Sequence, residues 1–205
     1  MSSLKRVDAL RAAPRITALE PGLWYRVHSN KRPGDSFNPS AASNARFSVV
    51  RREDNSVGPV LYAAQSIEGA LMETVFHEAP IPAAGAQLRE ADIVTTGYAL
   101  STIRIDAALS IIDLASVGLR RIGLRRAQVI DTMPSAYPAD ARVAACGLEW
   151  ISRQHDRSRS IILFGDRVGT NTVRLEGATR SVLDPDIVHH VLDLVDALDM
   201  RYLAL

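Results

Sequence analysis

Residues Val60–Glu78 read VLYAAQSIEGALMETVFHE. A short apolar strand carrying Tyr62 breaks at Gln65–Ser66 and gives way to a helix. Ser66 suits an N-cap, because its hydroxyl can accept a hydrogen bond from an orphan backbone N–H of the first turn. Ile67, Leu71 and Val75 then recur at helical spacing, with Ala70, Glu73 and His77 in a row beside them. Glu73 thus sets a carboxylate within a mostly apolar helical surface. That is costly unless something positive meets it, either a structural arginine or the charge developing on a substrate.

Upstream, Leu23–Ser29 (LWYRVHS) is predicted to be a strand with Trp24, Arg26 and His28 on one face and Tyr25 and Val27 on the other. Asn30–Asn44 is rich in Pro, Gly, Ser and Asn and reads as a long loop, a feature often tied to function. Residues 1 to about 20 read as a short helix and a connection broken by Pro14 and Pro21. Arg46–Arg51 and Pro59–Ala64 are predicted strands.

Downstream, the expected strands are Ile93–Leu100, Thr102–Ile105, Ser160–Phe164 and Thr172–Leu175, with an apolar segment at Ser110–Leu114. Ser116–Arg126 is expected to be a helix with an exposed arginine face. Ala139–Ile151 is a second expected helix, introduced by Pro138. Asp184–Leu198 (DPDIVHHVLDLVDAL) is a closing amphipathic helix with Ile187, Val191, Leu194, Val195 and Leu198 on one stripe. Strands and helices interleave irregularly, which predicts one α+β domain over 1–205, with its core at about 22–175 and the C-terminal helix at 184–198.

With 205 residues, 47% of them hydrophobic and 23% charged, the chain has the composition of an ordinary globule. A net charge of +1 argues against a general nucleic-acid binder. Arginines nonetheless cluster at Arg51–Arg52, Arg120–Arg121, Arg125–Arg126 and Arg153–Arg159; such clusters are solvated faces, or contacts for a phosphate-bearing ligand or an acidic partner. The single cysteine, Cys146, excludes an intramolecular disulfide and a cysteine-based zinc cluster. No apolar run reaches the roughly 20 residues that span a bilayer. The N-terminus lacks the apolar segment of a secretory signal, so a cytoplasmic location is expected.

Several catalytic motifs are absent from the sequence. His77–Glu78 begins like HExxH, but Ile81 stands where the second histidine belongs. Neither a GxGxxG fingerprint nor a Walker-type loop occurs, and the GxSxG marker of Ser-His-Asp hydrolases is missing. No bound metal is expected.

Four elements remain: WYR at Trp24–Arg26, Arg46–Phe47, the VLYA…E unit with Tyr62 and Glu73, and GLEWISR at Gly147–Arg153. In this order the sequence resembles the RES-domain family of bacterial toxin–antitoxin toxins, named for an arginine, a glutamate and a serine. Those residues match Arg26, Glu73 and Ser152. Tyr62 matches the family's strand tyrosine, and Arg46 the arginine of its Gly-Gly-Arg-Trp-like segment, which here reads Asn44-Ala45-Arg46-Phe47.

The resemblance implies an ADP-ribosyltransferase-like split β-core, two small sheets flanking a cleft for NAD. It implies toxicity through cleavage of the nicotinamide–ribose bond, by hydrolysis or phosphorolysis. ADP-ribosylation of a cellular protein and an inactive binding module are the alternatives. NAD is then a substrate, and the implied partner is an antitoxin with an Xre-type helix-turn-helix and a toxin-covering part; direct contact with nucleic acid or membrane is not expected. Glu73 would stabilise the oxocarbenium-like transition state of glycosyl transfer. Arg26 and Arg46 suit the pyrophosphate. Tyr62 would stack on nicotinamide or cap the sugar. Ser152 would bond either a ribose hydroxyl or the glutamate.

Overall fold

A computed structural model describes residues 14–39, 56–80, 83–129 and 145–205. Arg46, the strand expected at Arg46–Arg51 and the N-terminal helix lie outside the described residues. The strands are β1 (Ile16–Leu19), β2 (Gly22–Ser29), β3 (Val60–Ala64), β4 (Gln87–Arg89), β5 (Tyr98–Ile105), β6 (Leu109–Asp113), β7 (Gly147–Ile151), β8 (Arg159–Phe164), β9 (Val173–Ser181) and β10 (Arg201–Leu203). The helices are α1 (Ile67–Met72), α2 (Glu90–Thr96), α3 (Ser116–Arg121), α4 (Arg126–Val129) and α5 (Val188–Ala197).

The architecture is α+β. An eight-stranded mixed sheet runs β1-β6-β7-β8-β3-β2-β5-β9, and β10 pairs with β4 in a second, two-stranded sheet. Neighbours in the large sheet are antiparallel except β6 and β7, which are parallel. On one face, α3, α4 and β6–β8 bury Leu114, Leu119, Leu148, Trp150 and Phe164 together. Along from them, α1, α2 and α5 cover the β2–β5 half with Leu71, Phe76, Ile93, Val191 and Val195. The opposite face is packed almost wholly by strand residues, Trp24, Leu61, Ile103, Ile111 and Ile161 among them. The sheet therefore curls and buries that face against itself. No described helix is long and apolar enough to cross a membrane.

The predicted strand at Leu23–Ser29, the strand at Pro59–Ala64 and the closing helix all form. Three expectations are corrected. GLEWI, read as the end of a helix, is strand β7, inserted between β6 and β8. Gly147 permits this: a Cβ there would lie 2.1 Å from the Ile162 carbonyl oxygen. Ile93 lies in α2 rather than in a strand; the helix stops at Gly97, whose φ of 67° is left-handed, and β5 starts at Tyr98. The expected helix over Ser116–Arg126 breaks at Gly123, which has φ of 69°.

Candidate active site

The large sheet is nearly severed in the middle. β2 pairs with β5 from Gly22↔Ile105 to Ser29↔Tyr98, and β3 pairs with β8 along its whole length. Between β2 and β3, by contrast, a single pair, Tyr25↔Ala64, holds the halves together. The strands splay apart from that pair and leave a cleft of about 360 Å³, within the range of small-molecule sites. Arg26 and His28 come to it from β2, Tyr62 and Ala64 from β3, Glu73 and His77 from α1 and the turn after it, Trp150 from β7 and Ser160 from β8.

Arg26 is only 7% exposed. Its Nη1 donates to the carbonyls of Gly34 (2.8 Å) and Ser36 (2.6 Å), folding the loop after β2 around the guanidinium. Gly34 is needed there, since a Cβ would lie 2.1 Å from Ser101 Oγ. Farther along, Asn38 exchanges backbone hydrogen bonds with Val60, joining the loop to β3. Burial pulls the Arg26 pKa down to about 10; Asp35 opposes the shift and Arg32 adds to it. The group stays cationic at neutral pH, and its Nε and Nη2 have no partner among the described residues.

His28, two residues on, shares the Arg26 face. Its Nδ1 lies 2.9 Å from the Ser29 carbonyl, which can only accept, so Nδ1 carries the proton. In the neutral ring Nε2 accepts from Ser101 Oγ (2.8 Å), which also meets Thr179 Oγ1 at 2.7 Å. Burial lowers the His28 pKa; the Ser29 carbonyl opposes this and Arg26 adds to it. An imidazole with a depressed folded-state pKa binds its proton more readily in the unfolded chain. His28 therefore costs stability as pH falls below about 6.5, its unperturbed value. Urea midpoints at pH 7.5 and 5.5 should diverge less for His28→Gln than for the wild type. An identical divergence would remove His28 from the account.

Glu73 owes its position to both ends of α1. Ser66 Oγ accepts from the Gly69 N–H (3.0 Å), as an N-cap should, and donates to Ser158 Oγ (3.2 Å). Gly69 lets the helix sit close, because a Cβ would be 2.1 Å from Ser158 Oγ. Regular helix ends at Met72 and Glu73 is the C-cap, earlier than the apolar spacing predicts. Bonds from Glu73 N–H to Gly69 O and from Val75 N–H to Leu71 O continue the turn. Ala70, Glu73 and His77 consequently still line the cleft together.

Ser152 stands behind the carboxylate. Its hydroxyl donates to Glu73 Oε1 at 2.7 Å and accepts the backbone N–H groups of Gln154 (3.1 Å) and His155 (3.0 Å). A serine hydroxyl has one proton to donate and two lone pairs, so its capacity is filled. Ser152 is also fully buried. Of the two bonds open in the sequence, the one to the glutamate is present. Arg126, expected on an exposed arginine face, reaches in and donates to the Ser152 carbonyl at 2.9 Å.

Tyr62 is half-buried and meets Trp150 edge to face, with ring centroids 6.3 Å apart and planes at 77°. Sequence reasoning left Trp150 wholly in the core; it is buried, and it also lines the cleft. His28, His77 and Ser160 were likewise not singled out. His28 and His77 had legible signals, alternation with Arg26 and helical spacing from Glu73; Ser160 had none.

The structure thus brings Arg26, Tyr62 and Glu73 to one cleft and fixes Ser152 behind the last of them. The model of the RES domain matches residues 23–183, most of the chain, and the chain belongs to that family. The fold is similar to that in a crystal structure of the M. tuberculosis MbcT–MbcA toxin–antitoxin complex. The TM-score is 0.51 and the identity 15%, over 95% of this chain and 97% of the chain it matches. Curated proteins give no match.

Proposed function

We infer that this chain is the toxin of a toxin–antitoxin pair and that it cleaves the nicotinamide–ribose bond of NAD. The observation that carries the reading is a carboxylate held by a buried serine in the same cleft as a buried arginine. As the C1′–N bond breaks, its electron pair moves to the nicotinamide nitrogen and leaves positive charge on the ribose. Glu73, fixed by the Ser152 hydroxyl, stabilises that charge without having to reorient. Water or phosphate then adds at C1′ and gives up a proton, completing hydrolysis or phosphorolysis. The Arg26 Nε and Nη2 groups, which have no partner among the described residues, suit the pyrophosphate oxygens. Tyr62 offers a ring face for stacking or capping. The family resemblance adds Arg46 as a second phosphate ligand.

The chain of similar fold was solved with an antitoxin, which supports an antitoxin partner here; to neutralise the activity, that partner would cover or enter the cleft. Induced expression without a partner should lower cellular NAD and stop growth, and co-expression of the partner should restore both. Steady NAD and continued growth would count against the toxin reading. An ADP-ribose adduct on a cellular protein, with NAD nearly unchanged, would move it to protein modification.

A further inference from the structure

Four serines of the described residues are buried: Ser101, Ser152, Ser158 and Ser160. Ser101 serves His28 and Thr179, Ser152 serves Glu73, and Ser158 meets Ser66. Ser160 differs. It is 2% exposed, its Oγ has no hydrogen-bond partner among the described residues, and it lines the cleft. A buried hydroxyl left unpaired is costly, and this one belongs to a residue of the cleft wall.

The strand register shows what surrounds it. Ser160 is paired with Ala64 on β3 and with Trp150 on β7, so the three side chains form a row across one face of the sheet. Tyr62, two residues from Ala64, shares that face and meets Trp150 edge to face. Two small side chains thus lie beside two aromatic rings, with one unsatisfied hydroxyl among them. The β2 side of the cleft is different in kind and carries Arg26, His28 and Arg32. A ligand complementary to both sides has an anionic part and a flat aromatic part with a hydrogen-bonding edge.

We propose that Ser160 is a ligand-binding residue whose hydroxyl pairs with the carboxamide of a planar ring seated over Ala64, beside Tyr62 and Trp150. The inference rests on the NAD reading, in which that ring is nicotinamide. The hydroxyl can donate to the carboxamide oxygen or accept from its nitrogen, so it fits that edge in either orientation.

Calorimetric titration with NAD and with ADP-ribose tests this on Glu73→Gln protein, in which turnover is slowed, with and without Ser160→Ala. Ser160→Ala should weaken NAD binding about tenfold and leave ADP-ribose, which lacks the ring, within about twofold. Without ligand its thermal midpoint should equal or exceed the parent's, because an unpaired buried hydroxyl has been removed. Ser160→Cys, of similar size but a weak hydrogen bonder, should behave like alanine. Unchanged NAD affinity, equal weakening of NAD and ADP-ribose, or a midpoint several degrees lower would each overturn the assignment. If the Glu73→Gln parent itself fails to bind NAD, the NAD reading fails first and the carboxamide assignment falls with it.

Discussion

Glu73→Gln should lower the rate of NAD cleavage about 10²–10³-fold while leaving the protein folded and able to bind NAD. The size follows from what removing one preorganised electrostatic group costs a transition state. Glutamine keeps the length of the side chain and an oxygen that can accept from the Ser152 hydroxyl, 2.7 Å away in the wild type. What it lacks is the negative charge. The loss should therefore appear in kcat, with little change in affinity, as expected for an interaction made in the transition state. Steady-state rates on both proteins, with circular dichroism as a check on folding, decide this. Wild-type turnover in Glu73→Gln would remove the carboxylate from the mechanism.

Ser152→Ala should be damaging in two measurable ways. The hydroxyl is fully buried and makes three hydrogen bonds, to Glu73 and to the amides of Gln154 and His155. Deleting it leaves partly buried donors unpaired, at about 1–3 kcal/mol for each fully buried group and less here. A net loss of about 2–3 kcal/mol corresponds to a thermal midpoint lower by roughly 5–10 °C in a chain of this size. At a temperature where the variant stays folded, kcat should still fall about tenfold or more, because the carboxylate is no longer held in place. A purely structural serine would lower the midpoint and spare kcat, and that result would contradict the positioning role.

The parts of this architecture legible in the sequence are those with local signals. Ser66 announced a cap, and it caps the helix that delivers Glu73. Alternation along Leu23–Ser29 put Arg26 and His28 on one face, and both reach the cleft. In the closing stripe Ile187, Val191, Leu194 and Val195 are buried as their spacing predicts, and Leu198 is partly buried.

Misreadings fell where burial is two-sided or the signal is non-local. Gly147–Trp150 is buried at every position, so β7 lacks the alternation that marks a half-exposed strand. Ile93 and Val94 are β-branched and suggested a strand, but Ile93 joins the core cluster that includes Leu88 and Val191 from a helix closed by Gly97. The pairings β1–β6 and β3–β8 join distant segments, which no local pattern encodes. The lone Tyr25↔Ala64 pair that opens the cleft is equally invisible. So is the filled valence of Ser152, since a hydroxyl's partners depend on a turn that only the fold creates.

The most direct measurement is the release of free nicotinamide from NAD by the purified chain, followed with and without inorganic phosphate. The account predicts nicotinamide in step with NAD loss, together with ADP-ribose if water is the acceptor, or its phosphorylated form if phosphate accelerates the reaction. NAD recovered intact under both conditions, from protein shown to be folded, would contradict it.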